Sequence, residues 1–169
     1  MKNIDLSLYL VTDKSDDVEK FLKTIEEGIK GGVSVVQIRE KTAETLDFYN
    51  LALKVKEITR KYNVPLIIND RVDVALAIDA DGVHVGQTDL PCDVTRKLIG
   101  DDKILGVSAS TIEEARKAEK DGADGLHRAL RVEEVELPTL YYCVDSLERI
   151  GRVKLEGTSD DQALDINVE

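Results

Sequence analysis

The sequence predicts an α/β protein of the (β/α)8 TIM-barrel type, incomplete, with about five βα units and an atypical C-terminal segment. Three observations carry that expectation. Short runs rich in Val, Ile and Leu alternate with longer stretches of helical periodicity over residues 1–124. The runs are apolar almost without interruption, as in strands of a parallel sheet covered by crossover helices. The turn after the first run, Val11-Thr12-Asp13-Lys14, has none of the glycines that an open doubly wound sheet uses to hold a phosphate there.

Taken in order, Leu8–Val11 reads as the first strand, and Val18, Phe21, Leu22, Ile25 and Ile29 recur at helical spacing before Gly31-Gly32 stops the helix. Val33–Ile38 is the second strand. A long helix from about Thr42 takes its apolar stripe from Thr45, Leu46, Tyr49, Ala52, Leu53, Val55 and Ile58, and Asn63-Val64-Pro65 turns the chain into a third strand, Leu66–Ile68. A short helix over Val72–Ala80, a fourth strand over Gly82–Val85, a helix over Asp93–Ile99 and a fifth strand over Lys103–Val107 come next. Ser110-Thr111-Ile112-Glu113 reads as a capping box opening a helix that ends near Gly122.

Beyond Asp124 the alternation is lost. Only Lys154, of all the lysines, lies in residues 125–169, whereas Tyr141, Tyr142 and Cys143 cluster there. A full barrel takes about 250 residues, so the segment beyond Asp124 is too short for three more βα units. The chain therefore divides into a partial barrel, 1–124, and an atypical segment, 125–169, in which Thr139–Val144 reads as a strand and Asp145–Ile150 as a helical turn or two. A substituted or shifted C-terminal end is the leading explanation and a small appendage the other.

At 169 residues the chain suits one domain. A net charge of −11 with acidic residues throughout and no Trp argues against nucleic acid as a partner. No run approaches the length of a membrane span, and the short apolar stretch at Leu6–Val11 is too acidic at its edges for a signal peptide. Cys92 and Cys143 form no CxxC pair, which fits reduced thiols and a cytoplasmic protein.

In a parallel barrel the site lies at the C-terminal ends of the strands, and four of these ends are polar. Alternation after the second strand sends Gln37, Arg39 and Lys41 to one side, where a fork, a point charge and an amide suit an oligo-anion. The alternative is that Arg39 and Lys41 pair with Glu40 and Glu44 on the rim; Gln37 weighs against it, since an amide buried among Val and Ile needs a partner. Asp70, beside Asn69, and Asp89 lie at neighbouring strand ends, where two carboxylates can share a hard divalent cation. Their plainer readings are a helix N-cap for Asp70 and a turn before Pro91 for Asp89. Ser108 ends the fifth strand and either reaches the mouth or caps a helix. His84 reads as an interior packing or hydrogen-bonding residue, and His127 is assigned no role.

Four signatures in order, Gln-Ile-Arg-Glu-Lys at 37–41, Ile-Ile-Asn-Asp at 67–70 followed by Asp73-Val74-Ala75-Leu76, Asp81–Gln87 with Asp89, and Gly-Val-Ser at 106–108, resemble the thiamine phosphate synthase family. The resemblance implies a transferase that joins hydroxymethylpyrimidine pyrophosphate to thiazole phosphate with Mg2+. It further implies that Gln37, Arg39, Lys41 and Asn69 bind the pyrophosphate, Asp70 and Asp89 the metal, and that Ser108 lies against the pyrimidine. Arg39, Lys41 and Ser108 are then the catalytic candidates. The family's later loops, which hold the thiazole phosphate, have no counterpart after Ala123-Asp124. Two other readings stand beside the enzyme: a non-catalytic binding or regulatory relative, and a truncated, inactive barrel whose open edge pairs with another copy in a homo-oligomer.

Overall fold

The computed structural model describes residues 5–127. Six parallel strands form one sheet in strict sequential order: β1 (Tyr9–Val11), β2 (Val35–Ile38), β3 (Leu66–Asn69), β4 (Gly82–Val85), β5 (Ile104–Ser108) and β6 (Gly125–His127). The crossover helices are α1 (Val18–Lys30), α2 (Thr45–Lys61), α3 (Val72–Ala77), α4 (Cys92–Ile99) and α5 (Ile112–Lys120). Sequential order with every neighbour parallel is the order of a barrel wall, and five complete βα units make a half-barrel. The sixth strand starts at residue 125, where the sequence stops alternating. The strand and helical turns expected within 139–150 lie outside the described residues.

The strands β1–β5 bury side chains on both faces. Val36, Ile38, Leu66, Ile68, Val83, Val85, Leu105 and Val107 belong to the larger core, shared with Ile25 and Ile29 of α1, Phe48, Ala52 and Val55 of α2, and Ile99 of α4. Tyr9, Val35 and Ile67, with Ile104 packed against them, form a second cluster on the opposite, inner face. In the register Val11↔Gln37, Ile67↔Gly82 and His84↔Gly106, the inner face also receives Gln37, His84 and Gly106.

The wall is tied at its lower rim by a repeated device. Ala-Asp-Gly occurs at 80–82 and again at 123–125. In each case the Asp carboxylate accepts from an amide at the start of the preceding strand, Leu66 N to Asp81 at 2.8 Å and Leu105 N to Asp124 at 2.9 Å. Arg96 adds a hub, donating to the carbonyls of Gly100, Lys103 and Gly122 and to Asp124.

Three local expectations need correction. The buried stripe of α2 is Phe48, Ala52, Val55 and Thr59, whereas Leu46 is 68% exposed. The helix starts at Thr45 rather than Thr42, so the three residues expected to form its first turn stay in the loop. The capping box is shifted by one residue: Thr111 caps α5 and Glu114 returns the bond, in place of Ser110 and Glu113. Both Ser110-x-x-Glu113 and Thr111-x-x-Glu114 satisfy the pattern, and sheet geometry decides where the helix begins.

Candidate active site at the strand ends

Parallel strands all point their C-terminal ends the same way, so Gln37, Asn69 and Ser108 arrive at one mouth with the loops that follow them. Gln37 is 3% exposed, and its amide donates to the Tyr9 hydroxyl on the neighbouring strand at 2.8 Å. That bond answers the cost of placing an amide in an apolar strand. Two residues on, Arg39 leaves the sheet; its backbone N–H donates to the Thr12 hydroxyl at 3.3 Å and its guanidinium stands 3.4 Å from Asp13. Asn69 is buried at the end of β3.

Asp70 does not cap a helix. Its φ of 62° is left-handed, its N–H donates to the His84 carbonyl at 2.8 Å, and Arg71 occupies the cap position of α3 without a side-chain capping bond, its guanidinium pairing instead with Asp73. A non-glycine residue held in that conformation carries strain, which clusters where function constrains the backbone. Asp89 does more than turn the chain. Its Oδ2 accepts from the Gly86 N–H at 2.7 Å, and its carboxyl group is within hydrogen-bonding reach of Asp70. Burial first, then that neighbouring carboxyl, push Asp70 up to about 6, and the charges of Lys41 and Arg39 pull the other way. Asp89, Lys41 and Arg39 thus all act on Asp70 at the mouth, while Glu40 is turned back into its own loop.

Ser108 caps nothing either. Its Oγ lies 2.8 Å from Nε2 of His84, and its carbonyl accepts from Gln87 at 2.7 Å. The His84 ring stands over Gly106, where a Cβ would come within 2.5 Å of Nδ1, so glycine is what lets the imidazole reach Ser108. Tyr9 and Thr12 are partners that sequence reading missed, whereas His84, expected as an interior packing or hydrogen-bonding residue, is buried and bonds to Ser108. Strand alternation could have placed Tyr9 on the inner face, but only register shows what these residues touch. A cavity of about 230 Å³ lies on the helix side of the Asp89 loop, lined by Gln87, Asp89, Cys92, Lys117 and Asp121. It shares Asp89 with the mouth, and Gln87 of its lining bonds to the Ser108 carbonyl. Burial raises the Cys92 thiol there, the reverse of a reactive cysteine.

Among the described residues no three His, Cys, Asp or Glu side chains converge as a metal cage. Two carboxylates fit a different demand. Magnesium is commonly bound by one or two carboxylates, with substrate phosphates and waters filling the remaining positions. A pair in which each member raises the cost of ionising the other is relieved by a shared cation.

Fold and site define a half-barrel protein that gathers two cationic side chains beside two carboxyl groups at its strand ends. The thiamine monophosphate synthase family model matches residues 8–127. Thiamine-phosphate synthase of Methanobrevibacter smithii is 74% identical over 124 residues, covering 73% of this chain and 59% of that protein. The Clostridium acetobutylicum protein of the same description is 62% identical over 124 residues, with coverage of 73% and 59%. Among solved structures, thiamine phosphate pyrophosphorylase from Pyrococcus furiosus is similar at a TM-score of 0.68 and 34% identity, over 88% of this chain and 71% of that one. 3-Dehydroquinate dehydratase from Geobacillus kaustophilus, at 16% identity and a TM-score of 0.57 over 76% and 63%, shares the fold alone. The chain belongs to the thiamine monophosphate synthase family, and it spans about three fifths of the length of the curated relatives it matches.

Proposed function

We propose that the strand-end site binds hydroxymethylpyrimidine pyrophosphate with Mg2+, as the pyrophosphate half of a thiamine phosphate synthase centre. The observation that carries this reading is the pairing of Asp70 with Asp89 in the field of Arg39 and Lys41. Arg39 and Lys41 would hold the pyrophosphate oxygens, Gln37 and Asn69 would fix its register, Asp70 and Asp89 would hold the metal, and Ser108 would meet the pyrimidine. A bound Mg2+ would neutralise charge as the pyrophosphate departs. The side chains supply the rest. Two cations stabilise the leaving group as the C–O bond breaks, and burial of the inner face limits competing attack by water.

In the full reaction the pyrimidine carbon is transferred to thiazole phosphate, giving thiamine phosphate and pyrophosphate. A binding role without catalysis is the second reading, favoured by the end of the family match at residue 127. Titration calorimetry with the pyrimidine pyrophosphate, with and without Mg2+, tests the site; no heat in either condition would sink it. An assay for thiamine phosphate with both substrates then separates enzyme from binder.

A further inference from the structure

Glu40 stands between the two cations of the anion site in sequence, and an acidic group aimed at the mouth would oppose a pyrophosphate. The structure turns it elsewhere. Its Oε1 accepts three hydrogen bonds at once, from Thr42 N at 2.7 Å, Thr42 Oγ1 at 3.0 Å and Ala43 N at 3.1 Å. Burial pushes the carboxyl up, but these bonds outweigh it and leave it below the ordinary range, helped by the charge of Lys14.

The three bonds close the whole link between β2 and α2 on itself. Residues 39–44 have no regular structure, and the first helical residue is Thr45. Without Glu40 the amides of Thr42 and Ala43 would lose their acceptor, and the start of the loop would be held from the β1 side by the Arg39 N–H bond to Thr12 and the guanidinium contact with Asp13. Both cations lie near enough to Asp70 across the mouth for their charges to act on it. Placement matters because an ion-binding group loses its advantage when the chain must be ordered at the moment of binding.

We propose that Glu40 is a positioning residue for the pyrophosphate site: its carboxylate locks the 40–43 loop and so presents Arg39 and Lys41 to the ligand. This rests on the reading of the mouth as a pyrophosphate site. Charge alone gives the opposite expectation, since removing an acidic group beside an anion site should tighten binding.

The test compares Glu40→Ala with Glu40→Gln in the whole 169-residue chain. Both remove the charge, but only Gln keeps an oxygen able to accept from Thr42 and Ala43. Calorimetric affinity for inorganic pyrophosphate with Mg2+ should fall about tenfold in Glu40→Ala and stay within about threefold of the parent in Glu40→Gln, a scale typical of lost supporting bonds around ion sites. Hydrogen exchange should show the Thr42 and Ala43 amides unprotected in the Ala variant and protected in the Gln variant. A thermal melt run alongside excludes global unfolding. An Ala variant that binds as well as the parent, or two variants weakened equally, overturns the assignment. A parent chain that binds no pyrophosphate overturns the site and the assignment together, and is recognised before any variant is made.

Discussion

The carboxyl group of Asp70, held at a left-handed φ of 62°, lies within hydrogen-bonding reach of Asp89 from the next strand's loop. Burial and that neighbour raise Asp70 to about 6. Asp70 is thus held in a strained backbone conformation, and its ionisation is opposed, before any ligand arrives. A cation taking the place of the proton would relieve the opposition between the carboxylates.

Because Asp70 titrates higher folded than the roughly 3.9 of an unfolded Asp, the native state binds the extra proton between those values. Its stabilising contribution is complete below about 4 and is lost as pH rises through about 6. In the metal-free protein, Asp70→Asn should gain stability relative to the parent as pH rises from about 4 to about 7, measured by paired thermal melts. Parallel curves would show that Asp70 titrates normally.

Asp89→Ala should abolish the gain in affinity that Mg2+ brings to the pyrimidine pyrophosphate, and lose any metal-dependent rise in melting temperature. A ligand at a hundred times its Kd stabilises by about 2.7 kcal/mol, so the effect is well within reach of a melt. If the Mg2+ gain persists, Asp89 is not a ligand.

Gly82 and Gly106 should respond differently to alanine. At Gly82 the added carbon would lie 2.4 Å from the Ile104 carbonyl, a backbone atom that cannot turn aside. At Gly106 it would meet the His84 ring, which can swing away at the expense of Ser108. Gly82→Ala should cost about 3 kcal/mol or more in denaturant unfolding, and Gly106→Ala about 1–2 kcal/mol. The second should also weaken pyrimidine pyrophosphate binding, and equal costs would refute the distinction.

Thr111→Ala should destabilise by about 1 kcal/mol and Ser110→Ala by a few tenths at most, because Thr111 and Glu114 form the capping box. The reverse order would restore the register expected from sequence.

Arg96→Met should cost about 2–3 kcal/mol, since charged donors are removed from the carbonyls of Gly100, Lys103 and Gly122 and from Asp124 in a region where the Arg96 side chain is only 14% exposed. Chemical denaturation measures it, and a loss below about 0.5 kcal/mol would mean those carbonyls are satisfied by water instead.

The amino-acid sequence determined the half-barrel, because apolar runs separated by amphipathic helices bury both strand faces in a parallel sheet, and the glycine-free turn after the first strand favours a barrel over an open doubly wound sheet. It also nominated Gln37, Arg39, Lys41, Asn69, Asp70, Asp89 and Ser108 as candidates, since strand polarity gathers every C-terminal end on one side. Choices between local alternatives were not legible there. Asp70 reads equally well as a helix cap, Ser110 as a cap, Leu46 as a core residue and Glu40 as a rim partner for Arg39, because each satisfies a short-range pattern. Only the tertiary structure decided among them. The pairing of Asp70 with Asp89, of Ser108 with His84 and of Gln37 with Tyr9 depends on strand register, a long-range quantity that no local spacing encodes.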